Sequence, residues 1–203
     1  MSRVFAVYGA GGHARVAVAL LHSNGLSVYG AYDHNFRPDE TILGVPVRGT
    51  PATMFKQQDR FDAVALAIGD NQQRREAFAM LAERQFELPA LQHAKALIDG
   101  EATCGKASMV CIGGILGAKA SIGKGAIINS GAIVDHESTV GDFSHLAPGV
   151  RVGGRARIGR NVFIGMGAVI AHSVSIGDNA VIGANSVILA DVAREARIYG
   201  IHH

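Results

Sequence analysis

Between Val134 and His145 the chain gathers the side chains best suited to moving a proton: Asp135, His136, Glu137, Asp142 and His145, with Asn129 just ahead of them. A neutral imidazole at pH 7 accepts a proton from an amine or a hydroxyl, which makes His136 the candidate general base. A carboxylate beside it, Glu137 or Asp135, fixes its tautomer and raises its basicity. Neither serine of the cluster, Ser138 or Ser144, is convincing as a covalent nucleophile and no cysteine stands there, so the pattern disfavours ping-pong chemistry and points to direct transfer of a group onto the deprotonated atom. Gly149, Gly153 and Gly154 follow and thin the side-chain wall, so that a backbone N–H there can bind an oxygen on which negative charge develops. Arg155, Arg157 and Arg160 come next, suited to the phosphates of a CoA carrier or to a solvated surface.

The element that positions this cluster is written in the spacing around it. From Ile98 to Ile188 every sixth residue is Ile, Leu or Val, with Cys104 as the one other small apolar residue in the series. A period of six is neither the 3.6 of a helix nor the 2 of a simple strand; it is the repeat of a parallel β-helix. The residue two before each aliphatic one is mostly Ala, Ser or Gly, and strand alternation points both inward. The residue after it is often Gly, as at Gly117, Gly123 and Gly153, which the spacing assigns to corners that need unusual backbone angles. Three hexads close one triangular coil of about 18 residues, and stacked coils bury a continuous aliphatic column. His136 and His145 then lie half a coil apart, more than about 10 Å from each other in one chain. They share a site only where two such prisms pack side by side, as in a trimer.

Residues 1–93 have another character, and the boundary between the domains is expected there, with the β-helix at 94–203. Val4–Tyr8 reads as a buried strand, followed by Gly9-Ala10-Gly11-Gly12-His13-Ala14 and an apolar helix over Val16–His22. Strand patterns recur at Leu26–Tyr32, Val45–Val47 and Ala63–Ile68, with helices near Pro51–Gln57 and Gln72–Arg84. Alternating strands and helices predict a small Rossmann-like α/β domain. The glycine segment fits G-x-G-x-x-A, with Asp33 downstream where a ribose-binding acid belongs. The domain is half the size of a dinucleotide fold, so a mononucleotide or a nucleotide-sugar suits it better than NAD. His13 either contacts a ligand phosphate or caps its own helix. Arg74 and Arg75 either reach a diphosphate or lie solvated.

A net charge of +2 without a basic run gives no footing for nucleic acid. No stretch reads as a membrane span or a signal peptide, and the two cysteines, one of them at an inward position, point to a reduced, cytoplasmic protein without a metal cluster.

From end to end the chain resembles the PglD/NeuD-type sugar acyltransferases. The resemblance is carried by Val7–Ala14, by Tyr32-Asp33, by Ala67-Ile68-Gly69-Asp70-Asn71, by His136-Glu137 and by Phe143-Ser144-His145. It implies a left-handed β-helix, a homotrimer, acetyl-CoA as donor, no metal, and the 4-amino group of a UDP-linked amino-dideoxy sugar as acceptor in bacterial glycan synthesis. By the same resemblance His136 is the base and Glu137 its partner, and Asn129, His145 and the Gly154 N–H serve the acetyl thioester. Gly11, His13, Asp33 and Asn71 fall where the family holds the nucleotide-sugar, and Gly12, Gly69 and Arg74 are further candidates for the same site. The related alternative is O-acetylation of sialic acid. A trimeric zinc carbonic anhydrase is the alternative from another class, and the spacing of His136, His145 and His172 argues against it. One departure stands at the C-terminus, where Tyr199-Gly200-Ile201-His202-His203 replaces the G-[VIN]-P-A-[KR] segment that the family sets near the CoA adenine.

Overall fold

In the computed structural model, which describes residues 3–203, the chain divides into two compact units, one ending at Ala94 and the other spanning Lys95–His203. In the first, a parallel sheet is built from β1 (Val4–Tyr8), β2 (Ser27–Tyr32), β4 (Val45–Gly49) and β5 (Ala63–Leu66), extended by β3 (Thr41–Ile42), which pairs antiparallel to β4. The spatial order is β3-β4-β2-β1-β5. The four residues of β5 and all but the first of β1 are buried, which is why these strands read as continuous apolar runs. Helix α1 (Gly12–Ser23) links β1 to β2, α2 (Pro51–Lys56) lies between β4 and β5, and α3 (Asn71–Glu83) follows β5. The chain runs from β1 outward to β2 on one side and returns to β5 on the other, so the sheet has a switch point at the C-terminal end of β1, where open α/β sheets form their ligand crevice. Helix α1 begins at Gly12, four residues before its apolar stretch, so the glycine segment runs directly into its first turn.

The second unit is a solenoid of two-residue strands. Each pairs in parallel with the strand 18 residues away: Ile115 with Ile133 and Ile133 with Arg151, Ser121 with Thr139, Ile127 with His145. The last coil tightens, with Val181 opposite Arg197 and Val187 opposite Ile201. Leu116, Ile122, Ile128, Val134, Val140, Leu146 and their successors form one buried column with the small residues Ala120, Ala126, Ala132 and Ala156. Full burial of each aliphatic side chain contributes about 2 kcal/mol.

The glycines that follow the aliphatic residues are explained by space and not by backbone angle. A Cβ on Gly117 would come within 2.8 Å of the His136 nitrogen on the next coil, and one on Gly153 within 2.8 Å of the His172 nitrogen. The left-handed residues stand two places later, among them Lys119, Glu137 and Arg155 at φ of 59°, 57° and 60°. Each corner is therefore a tight stack at its first residue and a turn at its third.

The outward faces differ in chemistry. One carries Thr103, Ser121, Thr139, Arg157 and Ser175. Another carries Leu97, Ile115, Ile133, Arg151, Val169, Val187 and Ile201, of which Leu97 and Ile201 are each 66% exposed. No helix among the described residues is long and apolar enough to cross a membrane.

Candidate active site

His136 and Glu137 are the two turn residues of one corner, set between the strands Ile133–Val134 and Thr139–Val140. The column above and below them, one residue pair per coil, runs Ala118–Lys119, His136–Glu137, Gly154–Arg155, His172–Ser173. Asp135 Oδ1 accepts from the His136 backbone N–H at 2.7 Å and lies 3.0 Å from His136 Nδ1. An ionised carboxylate only accepts, so Nδ1 carries the proton and Nε2 is left with its lone pair. These two bonds hold the Asp135 carboxyl below the ordinary carboxylate range, the backbone N–H contributing most and the ring second.

Glu137 is placed differently from the expectation that it partners the imidazole. Its Oε2 accepts from Arg155 Nε at 2.6 Å, and that bond, followed by the charge of Arg155, lowers its pKa. Two left-handed residues stacked one coil apart point their side chains along the same edge, and the cation captures the carboxylate. Asp135 therefore takes the orienting position, and the Arg155 guanidinium is engaged before any phosphate arrives.

Gly154 is buried, and the His136 ring lies across its α-carbon: a Cβ there would overlap Cε1 and stand 2.6 Å from Nε2. Its carbonyl accepts from Ser173 N at 2.9 Å, while its N–H makes no hydrogen bond among the described residues. Arg157 is exposed on the polar outward face that follows this edge.

The remaining predicted donor-site residues lie elsewhere on the prism. His145 points outward from the strand His145–Leu146, 8% exposed, its Nε2 3.1 Å from Asn129 Nδ2 and its ring edge-on to Phe163 at 5.5 Å. Asn129 Oδ1 also accepts from Ser130 N at 2.8 Å. The predicted set thus forms two groups in one chain, His136 with Gly154, Arg155 and Arg157, and Asn129 with His145. A whole sheet face separates them. No group of three or more His, Cys, Asp or Glu among the described residues is arranged to hold a metal ion.

In the first unit a cavity of about 500 Å³ opens at the switch point. Gly11, Gly12 and His13 line it from the start of α1, Asp33 from the end of β2, and Gly69 from the end of β5. No side chain caps α1, and an uncapped helix N-terminus favours negative charge. Asp33 braces this loop, with Oδ2 accepting from Ala10 N and Oδ1 from Asn35 N, both at 2.8 Å.

Arg74 follows neither of the two readings of the sequence, a diphosphate contact or a solvated surface. It is fully buried, and it donates to Ile68 O at 3.0 Å, Gly69 O at 2.8 Å and Asn71 Oδ1 at 2.7 Å. Burial pulls its pKa down to about 10, so it stays charged at neutral pH. Arg74 is the internal brace of the Gly69-Asp70-Asn71 turn, and Asn71 spends its oxygen on it. Asp70 caps α3 by accepting from Gln73 N at 2.8 Å. Tyr8 and His34 also line the cavity, paired through Tyr8 Oη and His34 Nε2 at 3.2 Å, and neither stands out in the sequence as a site residue.

Residues 5–81 match the family model of the PglD N-terminal domain, and residues 155–190 match that of the bacterial transferase hexapeptide (six repeats). The acetyltransferase domain of PglB from Neisseria gonorrhoeae superposes with a TM-score of 0.92 at 30% identity, over 98% of this chain and 97% of that one. The chain belongs to the PglD-type sugar acetyltransferases. Its solenoid is the left-handed β-helix of that family. A point mutant of the perosamine N-acetyltransferase from Caulobacter crescentus, solved with CoA and GDP-perosamine, is equally similar, with a TM-score of 0.92 and 30% identity over 97% of this chain and 93% of that one. WeeI from Acinetobacter baumannii shares the fold at 20% identity and a TM-score of 0.61. No curated protein matches the sequence significantly.

Proposed function

We propose that this protein transfers the acetyl group of acetyl-CoA to the 4-amino group of a nucleotide-linked amino-dideoxy sugar, for bacterial glycan synthesis. The observation that carries the reading is the His136 imidazole, its Nδ1–H given to Asp135 and its Nε2 presented over the Gly154 backbone. The sugar nitrogen attacks the thioester carbonyl carbon and its proton passes to Nε2. The tetrahedral oxyanion is held by the Gly154 N–H, the C–S bond breaks, and CoA leaves as its thiol, taking the proton from the imidazole. The sugar's nucleotide occupies the cavity at the start of α1, its diphosphate on the helix N-terminus. Uracil, from the family resemblance, and guanine, from the perosamine enzyme, are the two bases open to this reading.

The site is completed by a neighbour in a trimer. The separation of Asn129–His145 from His136 within one chain supports this, as does the exposed apolar face of Leu97, Val169 and Ile201. His136 of one protomer then faces Asn129 and His145 of the next.

The experiment is acetyl transfer by the purified protein from acetyl-CoA to a nucleotide-linked 4-amino sugar. His136→Ala and His145→Ala each lose turnover. When the two inactive variants are unfolded together and reassembled, random mixing in a shared-site trimer restores about a quarter of the wild-type rate. Near-normal turnover of His136→Ala removes the base, and failure of the mixture to recover removes the shared site.

A further inference from the structure

Beside the switch-point cavity lies a second, of about 430 Å³. The two share Tyr8, His34, Ile68 and Gln73 as lining, so one bound molecule can run from the first into the second. The second cavity adds Glu76 and Met80 from the outer part of α3. Nothing in the acetyl-transfer chemistry uses these residues. Ile68 and Met80 supply apolar surface to the faces of a flat ring, the methionine with a polarizable sulfur suited to aromatic contact.

We infer that this second cavity is the base slot of the nucleotide-sugar and that Glu76 selects guanine; the inference rests on the nucleotide-sugar reading of the first cavity. With the diphosphate at Gly11–Gly12 and the ribose beside Asp33, the base is carried past the Tyr8–His34 pair to the face of α3. Glu76 Oε1 accepts from Gln72 Nε2 at 2.6 Å, which steadies the carboxylate and leaves its other lone pairs for a ligand. Guanine presents two adjacent donors, the ring N1–H and the 2-amino group, which meet one carboxylate as a bidentate, charge-assisted pair. Uracil presents a single N–H between two carbonyl oxygens, and those lone pairs face the carboxylate unfavourably. The same side chain therefore attracts one base and repels the other, which is how a specificity pocket separates two ligands that share a diphosphate and a sugar. The Gln73 amide, on the shared wall, is the neutral donor available to the guanine 6-oxo group.

Calorimetric titration with GDP, inosine diphosphate and UDP tests this on the wild-type protein and on Glu76→Gln, a change at an exposed helix position. GDP is expected to bind about tenfold or more tighter than UDP, with inosine diphosphate, which lacks the 2-amino group, between them. Glu76→Gln lowers GDP affinity about tenfold and leaves UDP affinity unchanged or improved. UDP binding as tightly as GDP, or GDP affinity unmoved by Glu76→Gln, overturns the guanine assignment while leaving the nucleotide-sugar site standing. Binding of none of the three diphosphates overturns both.

Discussion

The imidazole of His136 rests on the α-carbon of Gly154, the residue 18 places later and one coil away, and no other side chain fits between them. The proposed base and the proposed oxyanion donor are thereby held in contact by the solenoid's own repeat.

Gly154→Ala follows directly. The φ of Gly154 is not in the left-handed region, so alanine is acceptable to the backbone, but its methyl occupies the ring's place and drives the imidazole off the corner. A displacement of about 1 Å at a reacting group costs on the order of 100-fold in rate. We expect kcat to fall by about that factor while the thermal transition and the oligomeric state are kept, as measured by acetyl-transfer kinetics and calorimetry. Unchanged kcat would show that the ring does not work from this position.

The two carboxylates flanking His136 make separable predictions. Asp135→Asn allows an amide N–H₂ to face Nδ1 and so favours the tautomer with the proton on Nε2, where a base cannot use it; a loss of 100-fold or more, roughly, is expected in kcat. Glu137→Gln only loosens an exposed ion pair with Arg155 and is expected to change kcat by less than about threefold. The sign with pH follows from the depressed Asp135 carboxyl: its charge is fully present above the ordinary value of about 3.9 and is lost as pH falls through its lower folded value. No loss of turnover traceable to Asp135 is therefore expected on acidification from neutral to about pH 5. A larger loss in Glu137→Gln than in Asp135→Asn would reverse the assignment.

How far the sequence alone leads can be judged from particular residues. The hexad series from Ile98 to Ile188 is legible as coils because an inward aliphatic residue is required once per face, and the strands pair at the implied spacing of 18. The role of Gly117 and Gly153 is not, since a glycine that avoids a clash and one that turns the chain look alike until the next coil is in place. The hairpin of β3 and β4 turns at Leu43–Gly44, with φ of 48° and 83°, and leucine there lacks the Asn-Gly signature that announces such turns. Asp135 and Glu137 are both adjacent to His136 in sequence; only the stacking of Arg155 beside Glu137 separates their roles. Charged arginines are normally solvated, so nothing in Gln72–Glu76 signals that Arg74 turns inward.

Arg74 yields the last prediction. Its guanidinium satisfies three oxygens of the Ile68–Asn71 turn with no solvent exposure. Arg74→Met fills similar volume but leaves those acceptors buried without donors, at a cost of about 3 kcal/mol or more. Among the described residues the three α-helices all belong to the first unit, so its unfolding is read from the helical circular dichroism signal during denaturant titration. We expect the midpoint of that signal to fall. In conditions where the variant is folded, its KM for the nucleotide-sugar rises only through the loosened turn and is recovered by lowering the temperature. A variant with wild-type stability and a KM raised at every temperature would instead put the guanidinium on the diphosphate, one of the two readings the sequence leaves open.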